Sequence, residues 1–172
     1  MAKVKILRWA RALTGSEHFF QECLSVLGEL DDVDLFLDKA ASEGVRMDRH
    51  EFKLPPATRL FRDTTASAAY HTLILAPATS NTVAKCVVGI SDTLVTNVFA
   101  QAGKCRLPAI VFACDTAPEL ETDAPKGMVK VYPREIDLKN TERLKSFESA
   151  VVVESLEDLR TALGRRRHEL HG

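Results

Sequence analysis

No CxxC pair, no Gly-x-Gly-x-x-Gly loop and no Gly-x-x-x-x-Gly-Lys-Ser/Thr loop occurs in the 172 residues. Each omission removes a class of chemistry. The usual dinucleotide and nucleoside-triphosphate loops are unsupported. The four cysteines, Cys23, Cys86, Cys105 and Cys114, fall at wide, irregular spacings. That pattern argues against a disulfide framework or zinc site and suits a reducing cytoplasm. No metal-ligand set is evident, and no metal is expected. Net charge is −1, so no global field points to nucleic acid or a membrane surface. The short basic run Arg165-Arg166-Arg167-His168 reads as a solvated helix end. No apolar stretch approaches bilayer-spanning length, and Met1–Leu7 lacks the apolar core of a leader, so a cytoplasmic location is expected.

What is present fits an ordinary globular chain, with 45% hydrophobic and 27% charged residues. The length suits one domain over residues 1–172 with a core of its own. Strand and helix signals alternate along it. Val4–Trp9 reads as a first strand, and Thr14-Gly-Ser-Glu17 as a capping box opening a helix. On that helix Phe19, Phe20, Cys23, Leu24, Leu27 and Leu30 form an apolar stripe. Val33–Leu37 reads as a second strand and Lys39–Met47 as a short helix. An irregular segment with Pro55-Pro56 then runs to about Tyr70, long enough to suggest a lid or rim. Thr72–Ala76 is the third strand, stopped by Pro77. Asn81–Ile90 is a helix ending near Gly89, and Asp92 is the expected cap of another over Thr93–Ala102. Leu107–Ala113 is a fourth strand; Val129–Tyr132 and Ala150–Val153 are shorter β candidates. Glu154–Arg167 closes the chain as a helix with Leu156, Leu159 and Leu163 inward. The alternation predicts a doubly wound parallel sheet, a Rossmann- or flavodoxin-like three-layer α/β sandwich.

In such a sheet a ligand sits beyond the carboxyl ends of the strands. Three corners carry suitable residues. After the first strand, Thr14-Gly15-Ser16 offers close backbone approach and hydroxyls for phosphate oxygens. After the second, Asp38-Lys39 brings a cation. After the third, Thr79, Ser80, Asn81 and Thr82 supply more small polar groups than one helix cap requires. Asn81 has two readings, a contact to a ring or a helix cap. Glu17 likewise is either the partner in the Thr14 box or a competitor for a phosphate. Together the corners suit a mononucleotide with one phosphate and a flat ring.

The run Ala76-Pro-Ala-Thr-Ser-Asn-Thr82, with Ala84-Lys85, Gly89-Ile90, Asp92-Thr-Leu94 and Thr96-Asn97, resembles a motif of the homo-oligomeric flavin-containing cysteine decarboxylase (flavoprotein) superfamily. Ala100-Gln-Ala-Gly-Lys104, Pro108 and Phe61-Arg-Asp-Thr-Thr-Ala-Ser67 are similar to its archaeal-flavoprotein branch, which includes an FMN-dependent dihydromethanopterin reductase. Thr14-Gly15-Ser16 with His18, and Asp38-Lys39-Ala40, resemble that branch's first and second corners. The resemblance implies FMN, with phosphate near Ser16 and Lys39 and the ring beside Ala78, Thr79, Ser80, Asn81 and Thr82, and Thr93 among the cofactor contacts. It implies trimers assembling into dodecamers or larger cages, with Arg62, Asp63 and Thr64 reaching a neighbour's flavin. Asp38 stands where the branch has a hydroxyl, and Glu17 where it often has glycine; Arg8 and Arg11 near the first strand are candidates to offset that added negative charge.

If FMN is bound, the ring supplies the chemistry. The resemblance implies hydride transfer from flavin N5 to a dihydropterin, with electrons from an external donor. Two alternatives stay open: a decarboxylase of a cysteine-containing substrate, and an FMN electron carrier or storage cage without turnover. Neither His18 nor His71 matches the decarboxylases' catalytic histidine, and His50, His168 and His171 read as surface residues. Phe112-Ala-Cys-Asp-Thr116 differs from their substrate clamp. Cys114 reads as a pocket wall, not a nucleophile, because no base adjoins it.

Overall fold

The computed structural model describes residues 8–15, 19–37, 41, 59–61, 70–124 and 127–172. Its main sheet contains β1 (Arg8–Leu13), β2 (Val33–Leu37), β3 (Arg59–Phe61), β4 (Tyr70–Ala78), β5 (Ala109–Ala113) and β8 (Ala150–Val153). These pair in the order β3-β2-β1-β4-β5-β8, every ladder parallel. Outside it, β6 (Leu120–Ala124) and β7 (Gly127–Val131) form an antiparallel hairpin. The described helices are α1 (Phe20–Leu27), α2 (Ser80–Val88), α3 (Leu94–Lys104), α4 (Glu135–Lys145) and α5 (Leu156–His171). This is the expected three-layer, doubly wound α/β fold.

Strand periodicity divides the core between the two faces. Leu73, Leu75, Ala109 and Val111 point to one side, packing with Val83, Val87 and Val95 of α2 and α3. Ile74, Ala76, Ile110 and Phe112 point to the other, against Cys23, Val26 and Leu27 of α1 and Leu159 and Leu163 of α5. Successive residues on a strand face opposite ways, so a sheet covered on both sides needs apolar residues at nearly every position. The runs Val33–Leu37, apolar but for the buried Asp34, and Ala150–Val153 form strands with the expected bounds.

Several elements differ from the sequence reading. The first strand runs past Trp9 to Leu13, and Val4–Leu7 lie outside the described residues; Arg11 interrupts its apolar pattern yet is itself buried. Thr14 does not cap α1, whose N-cap is Phe19 at φ 60. A three-residue strand, β3, lies within the segment read as irregular, too short to announce itself by alternation. Pro77 does not stop the third strand: β4 runs on to Ala78, and the ladder to β5 shifts register between Leu75 and Ala78. An irregularity of that kind accommodates a residue with no N–H to donate. The cap of α3 is Thr93, not Asp92, because Asp92 takes the Lys85 ammonium at 2.9 Å. The helix α4 went unread because only Asp137, Thr141 and Leu144 of its 11 residues are buried. Of the helix expected at Lys39–Met47, only Ala41 is described, as a buried helical residue.

The closing helix is anchored at the amino end of β4. Arg166 donates through Nε to Thr72 Oγ1 at 2.8 Å and through Nη2 to the His71 carbonyl at 3.0 Å. The His71 ring meets Trp9 edge-on, centroids 4.5 Å apart. Burial, then the positive charge of Arg166 and of His171, pushes His71 from 6.5 down to about 4. A base weakened by folding is protonated more readily in the unfolded chain. Its contribution to stability is therefore complete above pH 6.5 and declines as pH falls toward about 4. Replacing His71 by glutamine should flatten that limb of the stability–pH curve in urea melts. An unchanged slope would assign the acid loss to other groups.

Candidate functional site

Counting only main-sheet strands in chain order, the arrangement is 3-2-1-4-5-6, and the direction of winding reverses between β1 and β4. Connections leave those two carboxyl ends toward opposite faces, so a crevice opens there. The sequence-predicted residues Thr14 and Thr79–Thr82 flank it. Thr14 is buried, and its hydroxyl donates to the Pro77 carbonyl at 2.8 Å, joining the β1 and β4 corners. Gly15 follows at the exposed rim. On the far side of β4, the Cys114 amide donates to the Ala78 carbonyl at 3.1 Å, drawing the β5 corner alongside.

Within the β4 corner, Thr79 is the cap of α2. Its extended backbone leads in, and its Oγ1 accepts from the Thr82 amide at 3.3 Å and lies 3.1 Å from the Thr82 hydroxyl. This settles the local role of Asn81. It is exposed in the first turn, does not cap, and its side chain makes no hydrogen bond among the described residues. Ser80 is half-buried, and its amide donates to Asp115 Oδ2 at 3.2 Å.

Asp115 is the residue sequence reasoning overlooked. Among the described residues it brings one carboxylate to an edge otherwise made of amides, hydroxyls and a carboxamide. Its signal was its place just past the buried strand β5, on the same edge as the other corners. Thr93 stands apart, separated along the chain by the whole of α2. Its Oγ1 accepts from the Thr96 amide at 3.2 Å, while its own amide donates to Thr96 Oγ1 at 3.0 Å. Ser16, Asp38, Lys39, Arg62, Asp63 and Thr64 lie outside the described residues, as do Glu17 and His18.

Burial pushes the Cys23 and Cys86 thiols up to about 12. They remain protonated at neutral pH and are unsuited to nucleophilic work. All four cysteines are free of disulfides, and the described residues hold no cluster of His, Cys, Asp and Glu able to bind a metal. No described helix is long and apolar enough to cross a membrane.

Amides, hydroxyls and one carboxylate at a switch point suit the edge of a flat heterocycle. Residues 3–165 match the model of the Flavoprotein family. The chain belongs to that family. Among solved structures this flavoprotein is similar to Burkholderia xenovorans DmrB in complex with FMN, described as a cubic protein cage for redox transfer. The two are 45% identical with a TM-score of 0.84, each chain 99% covered. The flavoprotein is also 32% identical, over 141 residues, to a dihydromethanopterin reductase (acceptor) of Methanosarcina mazei, covering 69% of this chain and 59% of that protein. The FMN-dependent cysteine decarboxylase TvaF shares the fold at 20% identity and a TM-score of 0.61, covering 91% of this chain and 94% of its own. The chain spans 50% to 59% of the length of the curated relatives it matches.

Proposed function

We propose that this flavoprotein binds FMN in the crevice between the β1 and β4 corners and works as an oxidoreductase on a dihydropterin of the dihydromethanopterin class. The observation that carries this is the Thr14–Pro77 hydrogen bond, which locks a phosphate-type corner to a ring-edge corner at the switch point. Support comes from the FMN held by the similar DmrB structure and from the reductase name of the M. mazei relative. Bound FMN would supply hydride from N5 to the pterin C=N bond, giving the tetrahydro form.

The chain's own residues bind and orient. Thr14, Gly15 and Ser16, with Asp38 and Lys39, form the phosphate side. Ala78 and Thr79–Thr82 form the ring side, where the first-turn amides of α2 and the Asn81 carboxamide, without a partner among the described residues, stabilise negative charge on a ring edge. Asp115 sets one carboxylate beside those donors, suited to the amino and N–H edge of a pterin. Arg62, Asp63 and Thr64 are assigned to a neighbouring subunit's flavin. The whole chain, 1–172, is read as one FMN-binding domain in a cytoplasmic homo-oligomer built from trimers, served by an external electron donor. The exposed Met128, Val129, Tyr132 and Ile136 favour such assembly.

The test is a titration of apoprotein with FMN, followed by stopped-flow mixing of the reduced complex with dihydromethanopterin. Quenched flavin fluorescence, a yellow complex and reoxidation coupled to tetrahydropterin formation are expected. Flavin that binds but stays reduced would favour electron storage, the reading that a cage for redox transfer suggests. Absence of binding would end the proposal.

A further inference from the structure

Asp115 directly follows Cys114, whose amide donates to the Ala78 carbonyl at 3.1 Å. The β5 corner therefore lies beside the β4 corner, on the side of β4 away from Thr14. The residue is half-buried, and its Oδ2 accepts from the Ser80 amide at 3.2 Å. A carboxylate has two oxygens and roughly four lone-pair directions, so that contact leaves most of its accepting capacity open to the crevice.

Two flat rings must meet in this crevice if FMN reduces a dihydropterin, and their pyrimidine edges differ. The flavin edge runs carbonyl, N–H, carbonyl. A carboxylate set opposite it would gain one hydrogen bond and face two carbonyl oxygens. The pterin edge runs amino group, N–H, carbonyl. Its amino group and ring N–H are parallel donors side by side, the arrangement that a carboxylate accepts with both oxygens. The Thr79–Thr82 corner, with its amides, hydroxyls and the Asn81 carboxamide, supplies the donors that the flavin carbonyls need. Asp115 supplies the acceptor that the pterin edge needs. A substrate presenting its own carboxylate would meet like charge there, which weighs against the cysteine-substrate reading.

We propose that Asp115 is a specificity-determining residue for the second ring, selecting a 2-amino-4-oxo heterocycle over a 2,4-dioxo one and leaving the flavin to the β4 corner. This selection rests on the FMN–dihydropterin reading and names the substrate edge that the site recognises.

The test is isothermal titration of the FMN-loaded chain with 6-methylpterin and 6-methyllumazine, oxidised rings that differ only by an amino or an oxo group on that edge. FMN titrations and thermal melts of the apoproteins accompany it. Wild type should bind the pterin roughly tenfold to a hundredfold more tightly than the lumazine. In Asp115→Asn the carboxamide oxygen still accepts from Ser80, so the melt and the FMN affinity should match wild type. The same carboxamide offers one donor and one acceptor face, so the ratio of pterin to lumazine affinity should fall to about one. Wild type without a pterin preference overturns the proposal, and so does a preference that survives in Asp115→Asn. A loss of FMN affinity with the preference intact would place Asp115 against the flavin instead, and also overturns it. Should Asp115→Asn not fold, Asp115→Ser, whose hydroxyl can accept from an amide, gives the same comparison. Wild type that holds FMN and neither ring overturns the proposal while the FMN site stands. Wild type that takes up no FMN overturns the site reading itself, and Asp115's role with it.

Discussion

Replacing Asn81 by alanine is expected to weaken FMN binding or the flavin's reoxidation by dihydropterin by roughly tenfold to a hundredfold, while changing stability by no more than about 0.5 kcal/mol. The two halves of that expectation come from one observation. Had Asn81 been the cap of α2, truncation would cost stability. The cap is Thr79, which accepts from the Thr82 amide, and Asn81 projects from the first turn without a side-chain partner among the described residues. Thr79→Ala should therefore lose about 1 kcal/mol and supplies the comparison. An exposed carboxamide at a helix amino end, beside Ser80 and Asp115, has a donor and an acceptor to present to a ring edge. Thermal melts separate the two roles, and an FMN titration with single-turnover reoxidation measures the second. Asn81→Ala that melts early and binds FMN normally would return the residue to a local structural role.

The parts of the fold legible from sequence are those where one physical demand acts alone. Val33–Leu37, apolar but for Asp34, and Ala150–Val153 are short runs between turn residues, and both are strands with the bounds their sequence predicts. The α1 stripe is buried at Phe20, Cys23, Leu24, Leu27 and Leu30. Gly89 ends α2 at φ 80, a left-handed value that glycine adopts without a Cβ penalty. Misreadings arose where two demands compete. Proline normally ends a strand, yet a shifted ladder carries β4 past Pro77. Both Asp92 and Thr93 are good caps, and an ion pair with Lys85 took the first out of contention. The sequence reading ends the first strand at Trp9, because Arg11 breaks the apolar pattern of the residues that carry it on to Leu13.

The candidate site divides the same way. Its small-polar corners are contiguous in sequence and could be read directly. Their meeting is not local: Thr14 reaches Pro77 across 63 positions, and Ser80 reaches Asp115 across 35. Only the strand order, which sets β1 beside β4 and β4 beside β5, creates those contacts. Motifs marked the corners as candidates, and topology decided which of them lie side by side.

The same topology confines the largest expected loss of stability to the opposite edge of the sheet. Asp34→Ala should destabilise the protein by about 3 kcal/mol, lowering the melting temperature by roughly 6–12 °C for a chain of this size. Asp34 is 0% exposed. Its carboxylate accepts from Arg8 Nε at 2.7 Å and from the Tyr70 hydroxyl at 2.9 Å, so it ties β2 to the first residues of both β1 and β4. Truncation leaves the buried tyrosine hydroxyl without that acceptor. Arg8 fares better, since it keeps Asp32 at 3.0 Å and the Val33 carbonyl at 3.1 Å. The cost should therefore sit near the lower end of the range for breaking a buried pair. Asp34, Arg8 and Tyr70 lie at the amino ends of their strands, away from the Thr14 and Thr79 corners. FMN affinity measured well below the melting temperature should accordingly match wild type. Urea melts losing less than about 1 kcal/mol would show that the three-strand tie is incidental. A large fall in FMN affinity in the folded variant would show instead that the two edges of the sheet are coupled.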